Sequence, residues 1–107
     1  EAFSLVIIKR DGRREPYARQ KLQVGLITAC KKRPVSVEQI EDLVQSVEGR
    51  LQNLGEREIP SRQIGELVME ELRKLDQVAY VRFASVYREF ATTDQFRDEL
   101  DLLSGTD

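Results

Sequence analysis

The sequence predicts an α+β, mainly α fold: a four-helix bundle capped by a small β-hairpin or three-stranded sheet, plus a short C-terminal helix. Three observations predict it. An apolar, β-branched run, Leu5-Val6-Ile7-Ile8, is soon followed by Asp11-Gly12, a pair that lets a chain reverse. Four later stretches repeat apolar residues every three or four positions, the period of a helix with one buried face. Between the second and third of these lies Glu56-Arg57-Glu58-Ile59-Pro60, short and extended in character.

The hairpin comes first. Its return leg ends at Pro16, which lacks an N–H and suits a strand edge. The tip is basic: Lys9, Arg10, Arg13 and Arg14 place four cations within six residues. A solvated turn explains such a tip, because Arg and Lys prefer water. A phosphate site also explains it, with Arg as a planar fork and Lys as a point charge. Glu15 fits the second reading, since a carboxylate there orients a lysine or accepts from a ribose hydroxyl. Lys9 and Arg10 face opposite ways on a regular strand, so they share a ligand only where the turn twists the chain.

The first helix is expected from about Ala18 to Lys32. Leu22, Leu26, Ala29 and Cys30 form its stripe, and Lys31, Lys32 and Arg33 close its last turn before Pro34. For Cys30 a small core residue is the simplest role. Ser36-Val37-Glu38-Gln39 has the spacing of a capping box and opens a second helix to about Leu54. Ile40, Leu43, Val44, Val47, Leu51 and Leu54 are its apolar positions, Gly49 interrupts it, and Gly55 suits its end. Glu56 to Pro60 is available as a third strand. Ser61 is expected to cap a third helix buried through Ile64, Val68, Leu72 and Leu75, with Gly65 in its first turns. Asp76 then caps a fourth helix to about Phe90. Val78, Val81 and Ala84 are expected on its core side. Tyr80 and Tyr87, seven apart on one face, read as core, an interface or a base-stacking platform. Thr93 or Asp94 starts the short final helix, with Phe96, Leu100 and Leu103 on one face, and 104–107 is a tail.

Composition narrows the function. A chain of 107 residues with 34% charged and 40% hydrophobic side chains is expected to form one soluble domain. No apolar run approaches the ~20 residues of a bilayer crossing, and a single cysteine points to the reducing cytoplasm. The net charge of −2 hides an asymmetry. Lys9 to Arg33 holds nine basic and two acidic residues, whereas Pro34 onward holds eight basic and sixteen acidic. The basic segment suits a nucleotide or polyanion, and the acidic remainder disfavours a whole-surface DNA binder. With no histidine, neither a Cys/His zinc site nor a His-based triad can form. No Walker-A or Gly-x-Gly-x-x-Gly pattern occurs, and no carboxylate pair stands out as an acid/base couple. An enzyme is therefore not expected.

Ile7-x-Lys9-Arg10-Asp11-Gly12, with Glu15 and Lys21, resembles the signature of the ATP-cone, a small nucleotide-sensing domain. ATP-cones occur in ribonucleotide reductase large subunits and in the NrdR repressors of reductase genes. Lys32-Arg33-Pro34-Val35-Ser36, Gly55-Glu56-Arg57-Glu58-Ile59-Pro60-Ser61, Ile64-Gly65-Glu66-Leu67-Val68-Met69-Glu70 and Val78-Ala79-Tyr80-Val81-Arg82-Phe83-Ala84-Ser85-Val86-Tyr87-Arg88 resemble the NrdR version. The likeness runs from about Val6 to Phe96.

The resemblance implies ATP and dATP bound between cap and bundle, with Mg²⁺ as a possible companion ion. It implies a cone over 1–92 and a C-terminal helix and tail over 93–107. Lys9, Arg10 and Lys21 would contact phosphates. Glu15 would orient the nucleotide, and Ile7 would lie near the base. Tyr87, with Tyr80 as a weaker candidate, would help cones associate into homo-oligomers. NrdR repressors also carry a four-cysteine zinc ribbon that binds operators upstream of reductase genes. No such ribbon is in this sequence, so the chain is expected to be the sensor half of a longer repressor. Many reductase cones have a histidine where Gly65 stands, and a glycine there leaves room for a second nucleotide. The rival expectations are a reductase cone, a basic nucleic-acid-binding module and a purely structural oligomerisation domain.

Overall fold

A computed structural model of the chain describes residues 4–87. Three short strands and four helices follow in order: β1 (Val6–Ile8), β2 (Arg14–Pro16), α1 (Arg19–Ala29), α2 (Val37–Asn53), β3 (Glu58–Pro60), α3 (Ser61–Leu75) and α4 (Gln77–Tyr87). The fold is α+β and mainly helical. The expected extension of α4 to Phe90, the final helix and the tail lie outside the described residues.

The sheet has the order β2-β1-β3. β1 pairs antiparallel with β2 and parallel with β3, so Ile7 stands between Glu15 and Ile59. The hairpin closes as Asp11-Gly12 predicts. Gly12 has φ +91°, its N–H donates to the Lys9 carbonyl at 2.9 Å, and Lys9 N–H donates to the Arg13 carbonyl at 2.7 Å. Both strand prolines, Pro16 and Pro60, fall on the outer strands, where a missing donor costs the ladder least. A parallel partner cannot be reached by a tight turn, and α1 and α2 supply the crossover.

Each helix packs on two others: α1 on α2 and α4, and α3 on α2 and α4. Leu26, Val44, Val47, Leu51, Val68 and Leu72 meet in the middle, with Ile59 of the sheet above them. Leu22, Leu26, Ala29 and Cys30 are buried as their spacing predicts. The α2 capping box is present in both directions: Gln39 N–H donates to Ser36 Oγ at 3.0 Å, and Ser36 N–H donates to Gln39 Oε1 at 2.8 Å. Gly55 ends α2 with φ +70°. Gly49 faces open space, with no atom within 4 Å of where a Cβ would sit. Close packing therefore does not explain it.

Four local expectations are corrected. First, α1 stops at Ala29, the chain then turns through a left-handed Lys32 at φ +63°, and no basic residue lies in the helix's last turn. Its C-terminal positive charge comes from α4 instead: Arg82 Nη1 donates to the carbonyls of Ala29 at 3.1 Å and Lys31 at 2.8 Å. Second, Pro60 takes the N-cap position of α3, so Ser61 is already helical and makes no capping bond. Third, Leu54 lies past the end of α2 and is exposed. Fourth, Val78 is exposed rather than on the core side of α4, while Val81 and Ala84 are buried.

Asp76 caps α4 as expected, its Oδ2 accepting from Ala79 N–H at 2.9 Å. The same carboxylate takes both Nε and Nη2 of Arg33, at 2.9 and 3.1 Å. These hydrogen bonds hold the Asp76 carboxyl below its ordinary value, against the opposing effect of burial. A carboxyl depressed on folding stabilises the fold above its unfolded pKa and loses that contribution as pH falls through the folded value. The Asp76→Ala chain should lose about 2 kcal/mol near neutral pH, about half from the cap and half from the charged hydrogen bonds. Arg33 is about a third exposed, so solvent screens the pair and keeps its share small. Urea melts of parent and variant should converge as pH drops from about 5 towards 2.

Candidate functional site

A cavity of about 120 Å³ lies where the sheet meets the helices. Ile7, Lys9 and Glu15 supply the sheet side, and Pro16, Tyr17 and Ala18 the corner leading into α1. Lys21, Leu22 and Gly25 of α1, Ser61 and Ile64 of α3, and Phe83 of α4 complete it. Strand geometry explains the grouping. Ile7 and Glu15 are directly paired, so their side chains share a face, and Lys9, two residues on, returns to that face.

Four of the five residues singled out for a nucleotide therefore line one cavity: Ile7, Lys9, Glu15 and Lys21. Arg10 does not. It stands exposed in the turn, outside the cavity wall. Glu15 is the hub of the charged rim. Its Oε1 lies 3.7 Å from Lys21 Nζ and its Oε2 3.4 Å from Arg13 Nη1. The other tip cations are engaged by carboxylates. Arg13 Nε donates to Asp11 Oδ2 at 2.7 Å, and Arg14 Nε sits 3.3 Å from both Glu58 oxygens. Arg13, through its backbone N–H and then its guanidinium, holds the Asp11 carboxyl below its ordinary value. The cavity lining thus carries two ammonium groups, Lys9 and Lys21, and one carboxylate, Glu15. The interior is apolar, from Ile7, Leu22, Ile64 and Phe83. Such a site suits a ligand with a flat apolar end and an anionic tail.

Sequence reasoning missed the roles of Tyr17, Gly25 and Ser61 in this wall. A glycine in mid-helix signals Gly25. A Cβ there would meet only Phe83 Cε1, at 3.7 Å, so the fold itself has room for a methyl group. Tyr17 follows Pro16 at the corner, and its hydroxyl donates to Glu48 Oε2 at 2.7 Å.

The two association candidates fare differently. Tyr80 is 3% exposed, within the core, with the Arg73 guanidinium carbon 6.0 Å from its ring centre. Tyr87 is the last residue of α4, and its side chain lies outside the described residues. On α4 the exposed large apolar residues among those described are Val78 and Val86. Cys30 is buried, and burial pushes its thiol up, which fits a core role. Among the described residues no group of three or more His, Cys, Asp or Glu side chains could hold a metal ion. The whole sequence has one cysteine and no histidine, so a four-cysteine zinc site does not fit the residues present. No described helix is long and apolar enough to cross a membrane.

Sheet, helices and charged rim together form a small α+β domain with a candidate ligand cavity at its β-cap. The model of the ATP cone domain matches residues 5–93, and the chain belongs to that family. Similar curated proteins carry the name transcriptional repressor NrdR. The one from Pelotomaculum thermopropionicum is 61% identical over 97 residues, covering 91% of this chain and 58% of that protein. The one from Lachnoclostridium phytofermentans is 55% identical over 100 residues, covering 94% and 65%. The one from Geotalea daltonii is 57% identical over 98 residues, covering 92% and 65%. The chain thus spans less than two thirds of the length of these relatives. Their name is that of a repressor, and the cone is a regulatory domain, not an enzyme.

Proposed function

We propose that this cavity binds ATP and dATP, and that the chain is the nucleotide-sensing part of an NrdR-type repressor of ribonucleotide reductase genes. The observation that carries the reading is the convergence of Ile7, Lys9, Glu15 and Lys21 on one cavity in a chain of the ATP-cone family. The enclosed space is small beside typical ligand pockets of about 300–1,000 Å³. A nucleotide would seat its base against Ile7, Leu22, Ile64 and Phe83 and lay its phosphates across the rim. Lys9 and Lys21 would then take the phosphates, as charge-assisted donors. Arg10, off the wall, adds to the positive field over the rim. Mg²⁺ would arrive with the triphosphate.

Glu15 is the proposed discriminator. ATP and dATP differ by one ribose hydroxyl, and a site separates them well only where that hydroxyl finds a polar partner. Glu15 offers one, directly or through water, and Lys21 and Arg13 hold it in place. The two nucleotides would then bias assembly, since a ligand shifts only states it binds unequally. α4 and the segment after it are the proposed contact surfaces between cones, with 1–92 acting as one unit on its four-helix bundle. In the relatives' longer chains, assembly would set how a zinc ribbon meets the operator.

Calorimetry with ATP tests the site. Lys9→Ala and Lys21→Ala should each weaken binding about tenfold, the scale of one charged hydrogen bond. Parent-like affinity in both variants would discard it. A pair of glycines separates site from scaffold. Gly49→Ala and Gly25→Ala should each stabilise the fold by up to about 1 kcal/mol, because alanine favours helix. Only Gly25→Ala should also weaken ATP, about fivefold, because its methyl narrows the cavity.

A further inference from the structure

We propose that Glu48, on α2 and outside the cavity, is a positioning residue for the nucleotide and acts by fixing the Tyr17 ring. The proposal rests on the nucleotide reading of the cavity and adds a residue to it. Tyr17 lines the cavity and packs against the core. Its hydroxyl donates to Glu48 Oε2 at 2.7 Å, a length typical of a charge-assisted bond. The Glu48 side chain is only 17% exposed, so it is committed to the protein rather than to water.

The same oxygen lies 3.5 Å from Arg19 Nε. That nitrogen is buried and makes no hydrogen bond, so the Arg19 contact is Coulombic and leaves the directional bond to Tyr17. Arg19 also reaches Glu41, at 3.7 Å, and Gln23 Nε2 donates to Glu41 Oε2 at 2.7 Å. The corner from β2 into α1 is therefore tied to α2 by two carboxylates, and Glu48 is the one that reaches a cavity-wall side chain. A phenol with an apolar body and a polar tip takes its orientation from the tip's partner. With Glu48 in place, the ring is held at one setting beside Ile7 and Lys21. Without it, the ring loses the anchor of its polar tip, and the wall is less well set for a nucleotide.

The test is calorimetry of ATP on the whole chain, with thermal melts to confirm folding. Tyr17→Phe keeps the ring and removes the tether. Glu48→Ala removes the acceptor, and Glu48→Gln keeps an oxygen that can accept. Tyr17→Phe and Glu48→Ala should each weaken ATP binding about threefold to tenfold. The double variant should be no weaker than the worse single, the signature of two residues acting through one bond. Glu48→Gln should stay within about twofold of the parent. Parent-like ATP binding in Glu48→Ala, alongside loss in Lys21→Ala, would overturn the proposal and spare the site. Loss in Glu48→Ala without loss in Tyr17→Phe would overturn it too, because the effect would not run through the ring. Parent-like binding in both Lys9→Ala and Lys21→Ala as well would remove the site reading itself. Should Glu48→Ala not fold, Tyr17→Phe alone decides.

Discussion

The register of β1 is the constraint on which the site depends. Ile7 lies opposite Glu15 on one side and beside Ile59 on the other. Ile59 is fully buried over the helices, which pins the sheet in one setting. A slip of one residue would turn every side chain of the strand over. Ile7 and Lys9 would leave the cavity, and Glu15 would lose its place beside Lys21. Packing of one apolar side chain therefore decides where a group of charges stands.

The opposite wall is held by charge. α1 carries Lys21 and Gly25, and both of its ends are anchored to other helices. Glu41 and Glu48 of α2 engage Arg19 at its start. Arg82 of α4 takes the carbonyls at its end, and the Arg33–Asp76 pair ties the following loop to the cap of α4. Between these anchors, Gly25 leaves the helix thin against Phe83. The arrangement keeps α1 fixed while leaving room beside it, which is what a rigid helix over a binding cavity requires.

Much of this was legible in the sequence, for local reasons. The Asp-Gly turn, the Ser36 capping box, the Asp76 cap and the α1 stripe each depend on residues a few positions apart, so their spacing announces them. The gathering of Ile7, Lys9, Glu15 and Lys21 was legible through family likeness, and strand alternation explains it afterwards. Arg10 was placed with them by motif, but it lies in the turn beyond β1 and off the cavity wall. What the sequence hid is set by distant partners. Nothing near Lys32 announces its left-handed turn, and nothing near Ala29 reveals that Arg82 will cap α1. Ser61 looks like an N-cap until the third strand claims Pro60 and moves the helix start. Tyr17 carries no local sign of Glu48, thirty-one positions away.

On the proposed reading, strand register and α1 together build one nucleotide seat at the β-cap. The most direct measurement is the map of backbone amide NMR shifts in the chain as ATP is added. The largest changes should fall on Ile7, Lys9, Glu15, Tyr17, Lys21 and Gly25, with smaller ones at the start of α3. Saturable changes centred elsewhere, for instance along the exposed face of α2, with these six amides unmoved, would contradict it.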